Sequence, residues 1–134
     1  GLYKEIKEKT VQKGLEDKVY FAGKQENIRR YLSAMDVFLF PSAFEGVPFA
    51  LIEAQANGLA CVMSEAVSEE AVVFPERVRR LSLDRDNIQW AAAVMAMSSM
   101  NREAADLIKM RLSDAHFNIE TEAKRLKDLY YHTR

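Results

Sequence analysis

Short apolar runs and longer amphipathic stretches alternate along the chain. Leu2, Ile6 and Val11 recur at helical spacing in a segment that ends at Gly14, which predicts a helix over 2–14. Val19-Tyr20-Phe21-Ala22, closed by Gly23, reads as a buried strand. Ile28, Tyr31, Leu32 and Met35 return to helical spacing until Asp36 breaks the pattern. Val37-Phe38-Leu39-Phe40 is then a second buried strand, stopped by Pro41. A helix is predicted over 48–57, with Pro48 in its first turn and Gly58 just past its end. Residues 60–63 form a third strand and 78–83 a short fourth one. Asp86-Asn87 can cap a helix over 88–97, and two more helices are predicted over 101–112 and 119–131.

Strands without polar alternation, separated by helices, imply a parallel sheet covered on both faces. The predicted fold class is therefore α/β. No internal repeat, low-complexity tract or long linker divides the chain, so residues 1–134 read as a single unit.

Composition narrows the chemistry. A chain of 134 residues can bury a sizeable core. Lys and Arg total 19 against 20 Asp and Glu, a net charge of -1, which gives no general attraction to nucleic acid. Cys61 is the single cysteine, so no internal disulfide can form; within Leu59-Ala60-Cys61-Val62-Met63 it reads as a buried, inert thiol. A reducing, cytoplasmic setting is expected. No signal peptide is seen, because lysines and glutamates follow Gly1-Leu2 at once. The apolar run over 90–97 is too short to span a bilayer and reads as a core-facing helix. Opening on Gly rather than Met suggests a piece of a longer protein. Glu65, Glu69 and Glu70 read as a solvated loop, and His116 and His132 are too far apart to suggest a metal pair.

The informative stretch runs Phe40-Pro41-Ser42-Ala43-Phe44-Glu45-Gly46-Val47-Pro48-Phe49-Ala50-Leu51-Ile52-Glu53. A strand ends, a loop follows, and a helix begins. In an open parallel sheet, ligands settle beyond the carboxyl ends of the strands. A helix start there offers unpaired N–H groups and a positive dipole end to a phosphate, and Gly46 leaves room for close approach. Glu45 in the loop and Glu53 in the helix supply acceptors suited to vicinal hydroxyls. Buried in so apolar a helix, Glu53 would need such a partner.

Glu45 and Glu53, seven residues apart, resemble the paired-glutamate motif of the retaining, family-four glycosyltransferases of GT-B fold. Tyr31-Leu32-Ser33-Ala34-Met35-Asp36-Val37-Phe38-Leu39-Phe40-Pro41-Ser42 upstream and Glu53-Ala54-Gln55-Ala56-Asn57-Gly58-Leu59-Ala60-Cys61-Val62 downstream are similar to the same family. The resemblance covers most of the chain from about residue 19. It implies that the chain is part of the C-terminal, Rossmann-like nucleotide-sugar-binding domain, without its first strands. It also implies that Glu45 acts at the reacting centre by contacting donor hexose hydroxyls, and that Glu53 holds the ribose. The backbone around Gly46, Val47, Pro48 and Phe49 would face sugar and diphosphate, and Gly23 and Lys24 would lie along the nucleobase. Val47-Pro48 departs from the family's usual glycine or phenylalanine and removes an amide. Lys24, Arg29 and Arg30 do not occupy the positions of the family's diphosphate-binding Arg and Lys, which would precede residue 1.

The expectation is thus a transferase that moves a sugar, with retention, from a uridine diphosphate sugar to a saccharide or lipid-linked acceptor in polysaccharide or glycoconjugate biosynthesis. No metal or other cofactor is expected. Without the upstream segment that would carry the diphosphate-binding Arg and Lys, and without the N-terminal acceptor domain, the isolated piece is expected to bind donor weakly at best and to catalyse nothing, and the whole enzyme to work in the cytoplasm at the inner face of the membrane. The strand over 19–22 would lose its neighbours, so an exposed sheet edge or the last helix, with Ile119, Ala123, Leu126 and Tyr130 on one face, could pair two copies. Two other readings stand beside this one: a non-catalytic α/β interaction or regulatory domain, and a fragment of a nucleotide-sugar epimerase or phosphorylase.

Overall fold

The order of elements follows the predicted alternation in all but one place. In a computed structural model that describes residues 1–132, α1 (Leu2–Gln12) and α2 (Ile28–Ala34) precede β1 (Val37–Phe40). Then come α3 (Phe49–Ala56), β2 (Ala60–Ser64), two short 3-10 turns at Glu69–Ala71 and Pro75–Arg77, and β3 (Val78–Leu81). Three helices close the chain: α4 (Asn87–Ser98), α5 (Ala105–Asp114) and α6 (Ile119–His132). The strands form one parallel sheet in the order β1-β2-β3, with Phe38 opposite Cys61 and Cys61 opposite Val78.

β2 is the central strand, and all five of its residues are buried. Strand side chains alternate between faces, so Cys61 and Met63 point one way and Ala60 and Val62 the other. On the first face they join Leu51 and Ala54 of α3, Leu59 and Val67, with Phe38 and Phe40 packed alongside. The other face lies under α4, which touches all three strands. Parallel strands covered on both faces need no polar alternation, and their run of apolar residues has this cause.

Within α3, Leu51, Ile52, Ala54 and Gln55 turn inward, while Phe49, Ala50, Glu53 and Ala56 face out. Gln55 is a polar residue at the centre of this core. Its Nε2 donates to the carbonyls of Ala71 (2.7 Å) and Leu51 (3.1 Å), and its Oε1 accepts from the amides of Val73 (2.8 Å) and Phe74 (3.1 Å). One amide thereby satisfies the backbone of a segment that has no strand partner of its own. The helix ends through Asn57 into Gly58, which sits at φ 75 and is shielded by Glu103.

Residues 19–22 are a correction to the sequence reading: they form no strand. A strand persists only where a neighbour takes its backbone hydrogen bonds, and the sheet of described residues ends at β1. The segment packs on α1 instead, with the Phe21 ring edge-on to Tyr3 at 5.5 Å, while Tyr20 is exposed. The helix predicted from 101 begins only at Ala105, because residues 101–104 bind the ends of other elements, as described below.

Candidate functional site

The loops that leave the carboxyl ends of β1 and β2 are tied together. The Ser64 hydroxyl at the end of β2 donates to the Ser42 carbonyl, and the backbone of Glu45 pairs with that of Val67 in an isolated parallel bridge. Arg80 on β3 braces the second loop from beneath. Its Nη2 donates to the carbonyls of Glu65 (3.1 Å) and Val67 (3.2 Å), and its Nη1 meets the Glu69 carboxylate. Gln55 holds the continuation over 71–74. The Glu45 loop therefore rests on a fixed neighbour.

Glu45 is exposed, and its Oε1 accepts from the Ser42 hydroxyl at 3.3 Å. That contact occupies one lone pair and leaves the carboxylate open to further donors. Phe44 and Phe49, 86% and 73% exposed, bracket the turn around Gly46, Val47 and the buried Pro48. The helical ladder of α3 starts with Leu51 and Ile52 donating to the Pro48 carbonyl, so the amides of Phe49 and Ala50 precede it.

Glu53 is also exposed, contrary to the buried setting that would have made it costly: the helical period turns it away from the sheet. It lines a groove of about 500 Å³ between α2, α3 and α5, together with Ile28, Arg29, Ser33, Asn57 and Ile108. Glu45 is not among the residues that line this groove. The two acids stand instead before the start and on the outer flank of one helix. Gly23, at φ 63, and the exposed Lys24 form a bend closed by the Gln25 side chain on the Ala22 carbonyl, outside the lining of the groove.

Three contributors escaped the sequence reading. Arg29, set aside there, is the cation that lines the groove beside Glu53. The exposed ring of Phe44, which pairs with the already expected Phe49 across the turn, carried a signal, since large apolar side chains grouped at the surface are expensive to leave in water without purpose. Gln55 carried none, because an amide in a helix looks like an exposed residue until its partners 16 to 19 positions later are known.

Elsewhere, Cys61 is fully buried, and its thiol is pushed up to about 12 by that burial, against the lowering effect of nearby Arg77. Its thiolate is absent at neutral pH, and the inert reading holds. His116 binds Glu122 at 2.8 Å and lies against Arg125, while the exposed His132 contacts the Asp128 carbonyl. No group of three or more His, Cys, Asp or Glu among the described residues is placed to hold a metal ion.

Known proteins give the arrangement a context. The chain is 32% identical over 126 residues to a Bacillus subtilis (strain 168) protein named as a glycosyltransferase, EpsF, covering 94% of this chain and 33% of that one. It is 28% identical to the lipopolysaccharide core biosynthesis mannosyltransferase LpsB of Rhizobium meliloti (strain 1021), over 94% of this chain and 37% of that one. It is 35% identical to the amylovoran biosynthesis glycosyltransferase AmsK of Erwinia amylovora, over 81% and 28%. The chain thus spans about a third of the length of these relatives. No solved structure matches it. Residues 1–100, which include both loops, all of α3 and the three strands, match the family model described as glycosyl transferases group 1, and the chain belongs to that family.

Proposed function

We propose that the chain forms part of the donor-binding side of a retaining glycosyltransferase. The whole protein transfers a sugar from a nucleotide donor, a uridine diphosphate sugar, to a saccharide or lipid-linked acceptor in polysaccharide biosynthesis. The observation that carries this reading is Glu45 in the loop at the carboxyl end of β1 with Glu53 on the exposed flank of the helix that follows it. Relatives named for lipopolysaccharide core biosynthesis and for capsular polysaccharide biosynthesis support the acceptor class.

In this reading the donor diphosphate lies near the first amides of α3, where the helix dipole and the N–H groups of Phe49 and Ala50 meet its charge. Glu53 accepts hydrogen bonds from the ribose hydroxyls, and Glu45 from hexose hydroxyls next to the carbon that changes partner. Gly46 and Val47 supply backbone at the turn, and Gly23 and Lys24 lie along the base. The bond from the anomeric carbon to the diphosphate breaks and a bond to an acceptor oxygen forms on the same face. Protein charges rather than a metal ion stabilise the leaving diphosphate. No helix among the described residues is long and apolar enough to cross a membrane, and the reading places the reaction in the cytoplasm, against the inner face of the membrane in the whole enzyme. The outer edge of β1 and the exposed side of α6 are the surfaces on which the acceptor domain or a second copy would pack.

The test is titration of the nitrogen-15-labelled chain with uridine diphosphate, followed by NMR. Amide signals from Gly46 to Glu53 should move, Pro48 having none, and Glu53→Ala should weaken the response. Silence of these amides at millimolar nucleotide would refute the reading.

A further inference from the structure

We propose that Arg102 is a positioning residue for the groove that Glu53 lines, latching α2 against α3 so that the groove keeps its width. The inference rests on the donor-site reading given above and assigns Arg102 no contact with the ligand.

α2 is poorly anchored by packing. It has seven residues, of which only Leu32 is buried. Its polar ties to α3 are long: the Ser33 hydroxyl reaches Asn57 Oδ1 at 3.4 Å, and Asn57 Nδ2 reaches the Arg29 carbonyl at 3.5 Å. Arg102 supplies what packing does not. The two N–H groups of its Nη2 are shared among the carbonyls of Leu32 (2.8 Å), Ser33 (2.9 Å) and Met35 (2.7 Å) at the end of α2. Its Nη1 donates to the Asn57 carbonyl (2.7 Å) and Asn57 Oδ1 (2.9 Å) at the end of α3. Carbonyls at a helix end lack the full set of partners found inside the helix (that of Leu32 accepts, among backbone groups, only the Met35 amide, at 3.3 Å) and carry the negative end of the dipole, so a guanidinium is matched to them in geometry and in charge.

The latch has a fixed base. The Glu103 amide donates to the Gly58 carbonyl at 3.2 Å, and the buried Arg77 holds the Gly58 carbonyl (3.1 Å), the Asn101 carbonyl and the Glu103 carboxylate. The segment that carries Arg102 is thereby pinned to the end of α3, and Arg102 reaches from it to α2. Three of the residues it touches, Leu32, Ser33 and Asn57, line the same groove as Glu53. A side chain that bonds the carbonyls of both walls sets their separation.

Arg102→Met keeps the aliphatic stem and removes the donors. Backbone hydrogen exchange should accelerate in α2 and stay unchanged in β1 and β2. If α2 is then docked only about a tenth of the time, uridine diphosphate binds about tenfold more weakly. Arg102→Lys, which keeps the charge but cannot bridge five acceptors, should fall between the two and serves as the comparison if the methionine variant does not fold. Equal loss of protection in the sheet and in α2 would make Arg102 a general stabiliser and overturn the proposal, as would unchanged nucleotide affinity alongside faster α2 exchange. Failure of the unaltered chain to bind the nucleotide would sink the donor-site reading and this ligand role with it; the exchange experiment would still decide whether Arg102 holds α2.

Discussion

Replacing Gln55 with leucine keeps the side-chain volume close and removes all of its hydrogen bonding. The amide is 1% exposed, and its partners Ala71, Val73 and Phe74 are buried at the backbone positions it serves. Leu51 retains a helical partner for its carbonyl, so the substitution strands three groups: the Ala71 carbonyl and the amides of Val73 and Phe74. Each stranded group costs about 1–3 kcal/mol, and water entering beside the half-buried Val72 holds the cost of the three together to about 3–6 kcal/mol. The added apolar contact returns about 1–2 kcal/mol, which leaves a net loss of about 1–5 kcal/mol. Against a total stability of about 5–15 kcal/mol for a domain, this is a severe loss. Urea denaturation monitored by circular dichroism measures it directly. Gln55→Glu, which keeps the acceptor toward Val73 and Phe74 but loses the donor to Ala71, should fall between wild type and the leucine variant. A midpoint for Gln55→Leu equal to that of the wild type would refute the claim that this amide carries the backbone over 71–74.

Two other predictions follow from the core and its edges. Gly58→Ala should destabilise by about 1–2 kcal/mol from its left-handed backbone alone, and by more because a Cβ would lie 3.1 Å from the Glu103 amide nitrogen and 3.2 Å from Ile108 Cδ1; urea denaturation checks it. Cys61 keeps its proton when folded up to about 12 but gives it up near 9.0 when unfolded, so its contribution to stability is complete below 9 and is lost as pH rises from there through 12. Within that window the difference in stability between wild type and Cys61→Ala should narrow by up to about 1.4 kcal/mol per pH unit; a difference that stays constant with pH would contradict it.

How much the sequence revealed depends on how local the cause was. β1, β2 and α3 were legible because period, the proline at the helix start and the glycine after its end are written in neighbouring residues, and the continuous apolar character of residues 60–63 reports burial on both faces. Residues 19–22 carry the same apolar signal, yet strand formation depends on a neighbour that the segment itself does not encode. The helix expected from 101 fails for a related reason. Arg102 and Glu103 have good helical propensity, but their hydrogen bonds go to Leu32, Asn57 and Gly58, dozens of positions earlier. The same distance in sequence hid Arg29, which lines one groove with Glu53 because α2 lies alongside α3, and no motif announces that. Glu45 and Glu53, by contrast, stand out through the strand, loop and helix in which they are set, although the exposure of Glu53 does not.

The central claim is that these two acids serve different parts of one activated sugar, and calorimetric titration of two variants with two ligands tests it most directly. Glu53→Ala should weaken both uridine diphosphate and the uridine diphosphate sugar. Glu45→Ala should weaken only the sugar-bearing ligand. Binding of both ligands by both variants at the affinity of the unaltered chain would contradict the account.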